Sequence, residues 1–417
     1  MYAQMLAALA AKPQLTYADT AIEFPPTWAQ NIQLMVEGET FFRAIGDAIL
    51  AANHSVHIIQ FGYKAGTVGF GFSELLEEKA RAGVPVRLIV DRLGSAFRLK
   101  RVRTMYDELV AAGVQVVVND PLSLWPQEGL LGTQRTRRST AGGFARADHR
   151  KLFVIDGQTA FVGGAGIEDH FYNGEFHDVY VRCQGELVHQ LQLLFLASFL
   201  RRGGPLPQAE TDLASFFSDD TPDTQAGDHP LPAVAERIPA RVRQNVPGAK
   251  GSTRAHVASQ GAFEQVANAT QSLDIMNPYI TDHKMIHALI AAAQRGVKVR
   301  LVVPGKPNNV ACAAAMHHFY PAMLGAGIEI WEYPAVVHAK VLVRDGETVQ
   351  VGTLNYDALS LRNNPEIELQ FESPQLATIF AQELFANDIA KCQPGVASSG
   401  AMKRVWNAGM SLLSPLL

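Results

Sequence analysis

Along most of the chain, short apolar runs follow amphipathic stretches that end at a glycine. "EEKARAGVPVRLIVD" (Glu77 to Asp91) reads as a polar helix end, a Gly cap, then a β-branched strand. "IAAAQRGVKVRLVVP" (Ile290 to Pro304) reads the same way. "AAGVQVVVND" (Ala111 to Asp120) matches "GAGIEIWEYP" (Gly325 to Pro334), and "SVHIIQFGY" (Ser55 to Tyr63) matches "SLDIMNPYI" (Ser272 to Ile280). Strands alternating with helices, twice over, predict an α/β sandwich in each of two halves.

The offsets between copies locate an insertion. Gly83 to Gly296 is 213 residues and Gly113 to Gly327 is 214, whereas His149 to His338 is 189. About 25 extra residues therefore lie between Asp120 and His149. That stretch reads as a long loop carrying Arg135, Arg137, Arg138 and Arg146. A Pro-, Asp- and Gly-rich segment, 203–239, reads as a linker between a first half, 1–202, and a second, 240–396. Residues 397–417 form a tail. There Met402, Val405, Trp406, Met410 and Leu413 recur near helical spacing, with Lys403 and Arg404 adding charge.

Composition narrows the partners. With 47% hydrophobic and 18% charged residues the 417-residue chain reads as globular, and a net charge of -4 is not the basic footprint of a nucleic-acid binder. Cys183, Cys312 and Cys392 form no CxxC, so neither a disulfide framework nor a zinc site is expected. The N-terminal "MYAQMLAALAAKPQL" lacks a basic region before its short apolar run and is a poor signal peptide. No uninterrupted apolar run reaches about 18 residues, so a peripheral or water-borne chain is expected.

One repeat carries chemistry. "ADHRKLFVIDGQTAFVGGAGIEDHF" (Ala147 to Phe171) and "VVHAKVLVRDGETVQVGTLNYDALS" (Val336 to Ser360) share His, Lys, Asp-Gly and Gly at matching offsets. In a strand, residues two apart share a face, which groups His149 with Lys151 and His338 with Lys340. Asp156-Gly157 and Asp345-Gly346 read as two-residue hairpin turns, making both Asp structural. That register sets His149 opposite Gly164 and His338 opposite Thr353. Each His needs an orienting carboxylate. Asp178 follows His149 by 29 residues and Glu366 follows His338 by 28, which suggests one within each half. A structural repeat alone would preserve glycines and apolar residues, not His and Lys in both copies. A His beside a Lys suits phosphate chemistry: the Lys neutralises phosphate oxygens and the imidazole attacks phosphorus or moves a proton. His170, His177, His317 and His318 are expected in structural or surrounding roles.

These residues resemble the HKD motif of the phospholipase D superfamily: HxK, four residues, Asp, six residues, Gly, a small residue, any residue, Asn. The second copy fits throughout, at His338, Lys340, Asp345, Gly352, Thr353 and Asn355. The first fits at His149, Lys151, Asp156, Gly163 and Gly164 and departs at Gly166, where the pattern has Asn. "GVPVRLIVDRLGS", "GVKVRLVVPGK" and "SLLSPLL" look like the bacterial cardiolipin synthase branch. The resemblance implies two α/β/α sandwich halves about a pseudo-twofold axis, with both motifs in one site. It implies His149 as nucleophile, His338 as acid and base, and Lys151, Lys340 and Asn355 on the phosphate oxygens. Gly164, Thr353 and Arg146 are expected at the substrate. It implies no metal or other cofactor. The implied reaction joins two phosphatidylglycerols through a phosphohistidine, at the membrane surface on the cytoplasmic face of the inner membrane. Hydrolysis of a phospholipid, or of a nucleic-acid phosphodiester, remains the alternative.

Overall fold

A computed structural model describes residues 1–120, 127–131, 137–138, 146–207, 210–217, 232–248, 255–397 and 400–416. The main strands of the first half are β1 (Thr27–Val36), β2 (Val56–Gln60), β3 (Val86–Asp91), β4 (Gln115–Asn119), β5 (Lys151–Ile155), β6 (Thr159–Gly163) and β7 (Val179–Gln184). Those of the second are β8 (Ile238–Asn245), β9 (Ser272–Met276), β10 (Lys298–Pro304), β11 (Glu329–Tyr333), β12 (Val341–Arg344), β13 (Thr348–Gly352) and β14 (Glu366–Glu372). In space the first set runs β4-β3-β2-β5-β6-β7-β1, with β4, β3 and β2 parallel and the rest antiparallel. The second runs β8-β14-β13-β12-β9-β10-β11 in the same pattern. β1 pairs antiparallel with β8, Trp28 opposite Pro239. One sheet therefore passes through both halves, and the β1–β8 pair marks its pseudo-twofold centre.

Both faces of this sheet are covered, so the strands read as near-continuous apolar runs. Successive residues feed different cores. Ile59 and Val154 join a central core shared by the halves, with Val162, Val242 and Val351. Ile58 and Phe153 face an outer core under α1 (Gly38–Ala51), α2 (Thr67–Arg81) and α3 (Lys100–Ala111). α4 (Glu186–Arg201) is almost wholly buried in the central core. The second outer core lies under α5 (Val257–Asn268), α6 (His283–Gln294) and α7 (Val310–Gly325). The four glycines that punctuate the repeat, Gly83, Gly113, Gly296 and Gly327, have φ of +87°, +102°, +96° and +87°. Each follows a helix in left-handed backbone that glycine adopts without strain.

The hairpins differ from the expected register by one residue. Asp156 and Gly157 have φ of 54° and 71°, and Gln158 N–H donates to the Ile155 carbonyl, as in a two-residue turn. Ile155, however, pairs with Thr159, so Gln158 is an extra residue in the loop. The second hairpin repeats this with Arg344 opposite Thr348 and Glu347 extra. His149 and Gly164 are therefore not cross-strand partners, nor are His338 and Thr353.

The segment 203–239 contains a short helix, Glu210–Ala214, and the strand Ala233–Val234 on β1. Its residues 218–231, and Arg135 of the first loop, lie outside the described residues. Two short strands flank the sheet: Gln127–Leu130 pairs along β4, and Gln393–Pro394 along β11. The tail forms α8 (Ala401–Leu412), which packs on α7.

Candidate active site

The parallel strands β2 and β9 end where β5 and β12 begin, Gln60 opposite Lys151 and Met276 opposite Val341. The carboxyl ends of parallel strands are the usual place for a ligand site. Here the chain before each hairpin crosses to the other half. His149 N–H donates to the Pro365 carbonyl at 3.1 Å, and His338 N–H to the His177 carbonyl at 2.7 Å. The dipeptides Phe176–His177 and Val336–Val337 pair as a two-stranded parallel ribbon. A buried ionic cluster anchors the first approach. Asp148 is bound by Arg150 at 2.7 Å and Arg202 at 2.6 Å, and its N–H donates to Asp91.

These crossings decide which carboxylate serves which histidine. His149 Nδ1 lies 3.0 Å from Glu366 Oε1, and His338 Nδ1 lies 2.8 Å from Asp178 Oδ2. The expected within-half pairing of His149 with Asp178 and His338 with Glu366 is thus reversed. Sequence spacing could not show this, because it depends on how the halves dock. Thr353 Oγ1 donates to Glu366 Oε2, behind His149. Gly164 makes room for the other pair, since a Cβ there would meet Asp178 Oδ1 at 2.5 Å and the His338 carbonyl oxygen at 2.8 Å. Gly164 and Thr353 therefore lie against the carboxylates, not along the cleft.

Both histidines line one cleft of about 430 Å³, together with Lys151, Asn355, Phe61 and Phe176. The Oδ1 atom of Asn355 is buried without a hydrogen-bond partner among the described residues. Lys151 Nζ donates to the His149 carbonyl at 2.7 Å and sits 5.1 Å from the Phe61 ring centroid. Lys340 lies beside His338, its Nζ 2.9 Å from Nδ1 and 3.2 Å from Nε2. Arg146 is directed elsewhere, its guanidinium 5.7 Å from the Tyr17 ring centroid. A larger cleft, about 520 Å³ near Trp28 and Arg237, contains none of the duplicated residues.

Burial, then the charges of Lys151 and Lys340, hold His149 well below the usual histidine pKa. Burial, then Lys340 and Lys151, do the same to His338. Burial lowers Lys151 to about 8 and Lys340 to about 7, against the opposing pull of Glu366 and Asp178. It also raises both carboxylates. The site therefore favours neutral imidazoles near pH 7, each hydrogen-bonded through Nδ1.

Phe61, Phe171 and Phe176 were not expected here. Phe61 stands edge-on to His149 at 5.0 Å, and Phe171 likewise to His338 at 5.3 Å. The aromatic residues carried no periodic signal in the sequence. The structural role expected of His177 takes a specific form: it is buried between Glu37 at 2.6 Å and Asp388 at 2.7 Å. Asp156 and Asp345 lie at the turns, but their carboxylates also reach backwards. Asp156 accepts the N–H groups of Asn53, His54 and Ser55, and Asp345 those of Thr270, Gln271 and Ser272.

The sequence profile of the cardiolipin synthase, PLD-like domain matches residues 45–196 and 263–388. A probable cardiolipin synthase of Bacillus subtilis (strain 168) is 29% identical over 364 residues, 85% of this chain and 65% of that protein. A cardiolipin synthase of Geobacillus thermodenitrificans (strain NG80-2) is 31% identical over 363 residues, 85% of this chain and 66% of that protein. The chain thus spans about two-thirds of the length of these relatives. The crystal structure of phosphatidylserine synthase from Haemophilus influenzae Rd KW20 superposes with a TM-score of 0.63 at 13% identity, covering 94% of this chain and 97% of that one.

Proposed function

The chain belongs to the cardiolipin synthase, PLD-like family, and on that premise we propose that it is a phosphatidyltransferase joining two phosphatidylglycerols. The observation that supports this reading is the crossed pair of carboxylate-held histidines in one cleft, with lysines beside both. With Nδ1 engaged, Nε2 is the nitrogen left for chemistry. In the proposed cycle His149 Nε2 attacks phosphorus, a P–N bond forms, and the P–O bond to glycerol breaks. The anionic phosphodiester raises the proton affinity of the imidazoles, and His338 delivers the proton to the departing glycerol oxygen. A hydroxyl of the second phosphatidylglycerol then gives its proton to His338 as its oxygen attacks phosphorus. The P–N bond breaks, and cardiolipin and free His149 result. Lys151, Lys340 and Asn355 stabilise the phosphate oxygens.

The proposed location is peripheral, on the cytoplasmic face of the inner membrane. Among the described residues no helix is long and apolar enough to cross a membrane. The tail helix α8 supports a surface contact because its polarity is inverted. It buries Asn407 and Ser411, and the turn after it buries Ser414, with both serine hydroxyls at His283 Nε2, 3.2 and 3.1 Å away. It exposes Met402 by 88%, Val405 by 75%, Trp406 by 55% and Leu412 by 79%, beside exposed Lys403 and Arg404. Apolar side chains with flanking cations suit an anionic lipid interface. The test is incubation with phosphatidylglycerol vesicles and mass spectrometry of the lipids. Cardiolipin and glycerol are expected; phosphatidic acid alone would mean hydrolysis, and no lipid product would remove the reading.

A further inference from the structure

Gly166 stands where the second motif has Asn355, so no side chain enters the cleft from that position. A different group occupies the space. A Cβ on Gly166 would meet Glu168 Oε1 at 2.8 Å, and a Cβ on Gly62 would meet the same oxygen at 2.0 Å. The carboxylate of Glu168 is thus seated between two glycines. The second half is built otherwise: Tyr279 replaces Gly62 in the matched stretch, and Asp357, the counterpart of Glu168, accepts the Ser360 N–H at 2.8 Å. Glu168 is 9% exposed and lines the same cleft as both catalytic histidines. Lys64 Nζ lies 2.6 Å from Glu168 Oε2, and His170 Nδ1 lies 3.7 Å from it.

A bare carboxylate beside a phosphodiester would repel it. Lys64 offsets that charge while leaving acceptor lone pairs on Glu168. A second cation would compete with Lys64, whereas a neutral hydroxyl adds a hydrogen bond without displacing it. We propose that the Glu168–Lys64 pair, cradled by Gly62 and Gly166, is a subsite for a free hydroxyl of the headgroup alcohol. The inference rests on the phosphatidyltransferase reading for the identity of that alcohol, glycerol. The cradle gives the first half of the cleft a polyol preference that the phosphate contacts of the second half do not supply.

The test is calorimetric titration of the full chain with glycerol phosphate, propyl phosphate and phosphoethanolamine. A hydrogen bond to a charged group predicts that glycerol phosphate binds roughly tenfold more tightly than propyl phosphate. Glu168→Ala should abolish that preference, and propyl phosphate, facing a Lys64 freed of its partner, should bind no more weakly than to the wild type. Glu168→Gln, which keeps the shape and an oxygen acceptor, should retain part of it and guards against misfolding of the smaller variant. Equal affinities in the wild type, no binding, a preference surviving in Glu168→Ala, or tightest binding of phosphoethanolamine would each overturn the proposal. Turnover of phosphatidylglycerol is measured separately. Intact probe preference without turnover removes the lipid reading and leaves the hydroxyl subsite standing.

Discussion

His149 takes its carboxylate from Glu366, 217 residues further along the chain, and not from Asp178 in its own half. His338 does the converse, reaching back 160 residues to Asp178. This crossing makes two variants distinguishable. Glu366→Gln weakens the support of His149, and Asp178→Asn that of His338. Each should lower kcat by roughly 100-fold or more, the scale of an acid–base contribution. A phosphodiester with a good leaving group needs no acid to depart. With such a donor, Asp178→Asn should accumulate a covalent phospho-enzyme in intact-mass spectra, and Glu366→Gln should not. The reverse outcome would mean that the nucleophile and the acid–base residue are exchanged.

The hairpin aspartates should matter to stability more than to chemistry. Asp156 and Asp345 each hold three successive backbone N–H groups at the entry to β2 and β9. Asp345→Ala leaves those donors without the carboxylate and sets at φ 53° a residue that tolerates left-handed backbone less well than Asp. A loss of about 1–3 kcal/mol is expected in denaturant unfolding. Asp345→Asn keeps an acceptor and tolerates the left-handed backbone, so it should lose less and retain most activity. A folded Asp345→Asn enzyme as inactive as His338→Ala would assign Asp345 a direct role.

His177 ties the halves together behind His338. Burial opposes its charge, but the hydrogen bonds it donates to Asp388 and Glu37 outweigh burial and raise it to about 9. Its folded pKa lies above the usual value of about 6.5. The added stability is therefore fully present below about pH 6.5 and is lost as pH rises through about 9. It amounts to about 3 kcal/mol. The stability gap between wild type and His177→Gln should narrow between pH 7 and pH 10 in urea unfolding. A constant gap would remove the charged imidazole from the account.

The outward face of α8 gives a membrane test that leaves the core untouched. Val405→Ser with Trp406→Ser should weaken flotation with anionic liposomes by at least roughly tenfold, from the apolar area lost. Lys403→Glu with Arg404→Glu should weaken it most at low salt. Thermal unfolding should be unchanged in both, because these side chains are exposed. Undiminished flotation would move the lipid contact elsewhere.

Features that depend on local spacing could be read from the sequence. The glycine caps, the alternating elements and the two His-x-Lys strands all follow from periods of a few residues. Gln158 and Glu347 escaped that reading, because an Asp-Gly pair specifies the turn but not whether a third residue joins the loop. The exchange of Asp178 and Glu366 depends on docking between halves and leaves no local trace. Nor does the seat of Glu168, since Gly62 lies 106 residues before it and looks like an ordinary loop glycine.

Among the described residues, the sheet that continues through both halves ends at β4 and β11. Gln127–Leu130, with Arg137–Arg138 paired outside it, borders one and Gln393–Pro394 the other. These borders are a few residues long, and Pro394 has no N–H to offer an incoming strand. The longest hydrogen-bonded array in the protein therefore does not end in a long flat template. Among the described residues, two copies meeting edge to edge would find few backbone groups to pair.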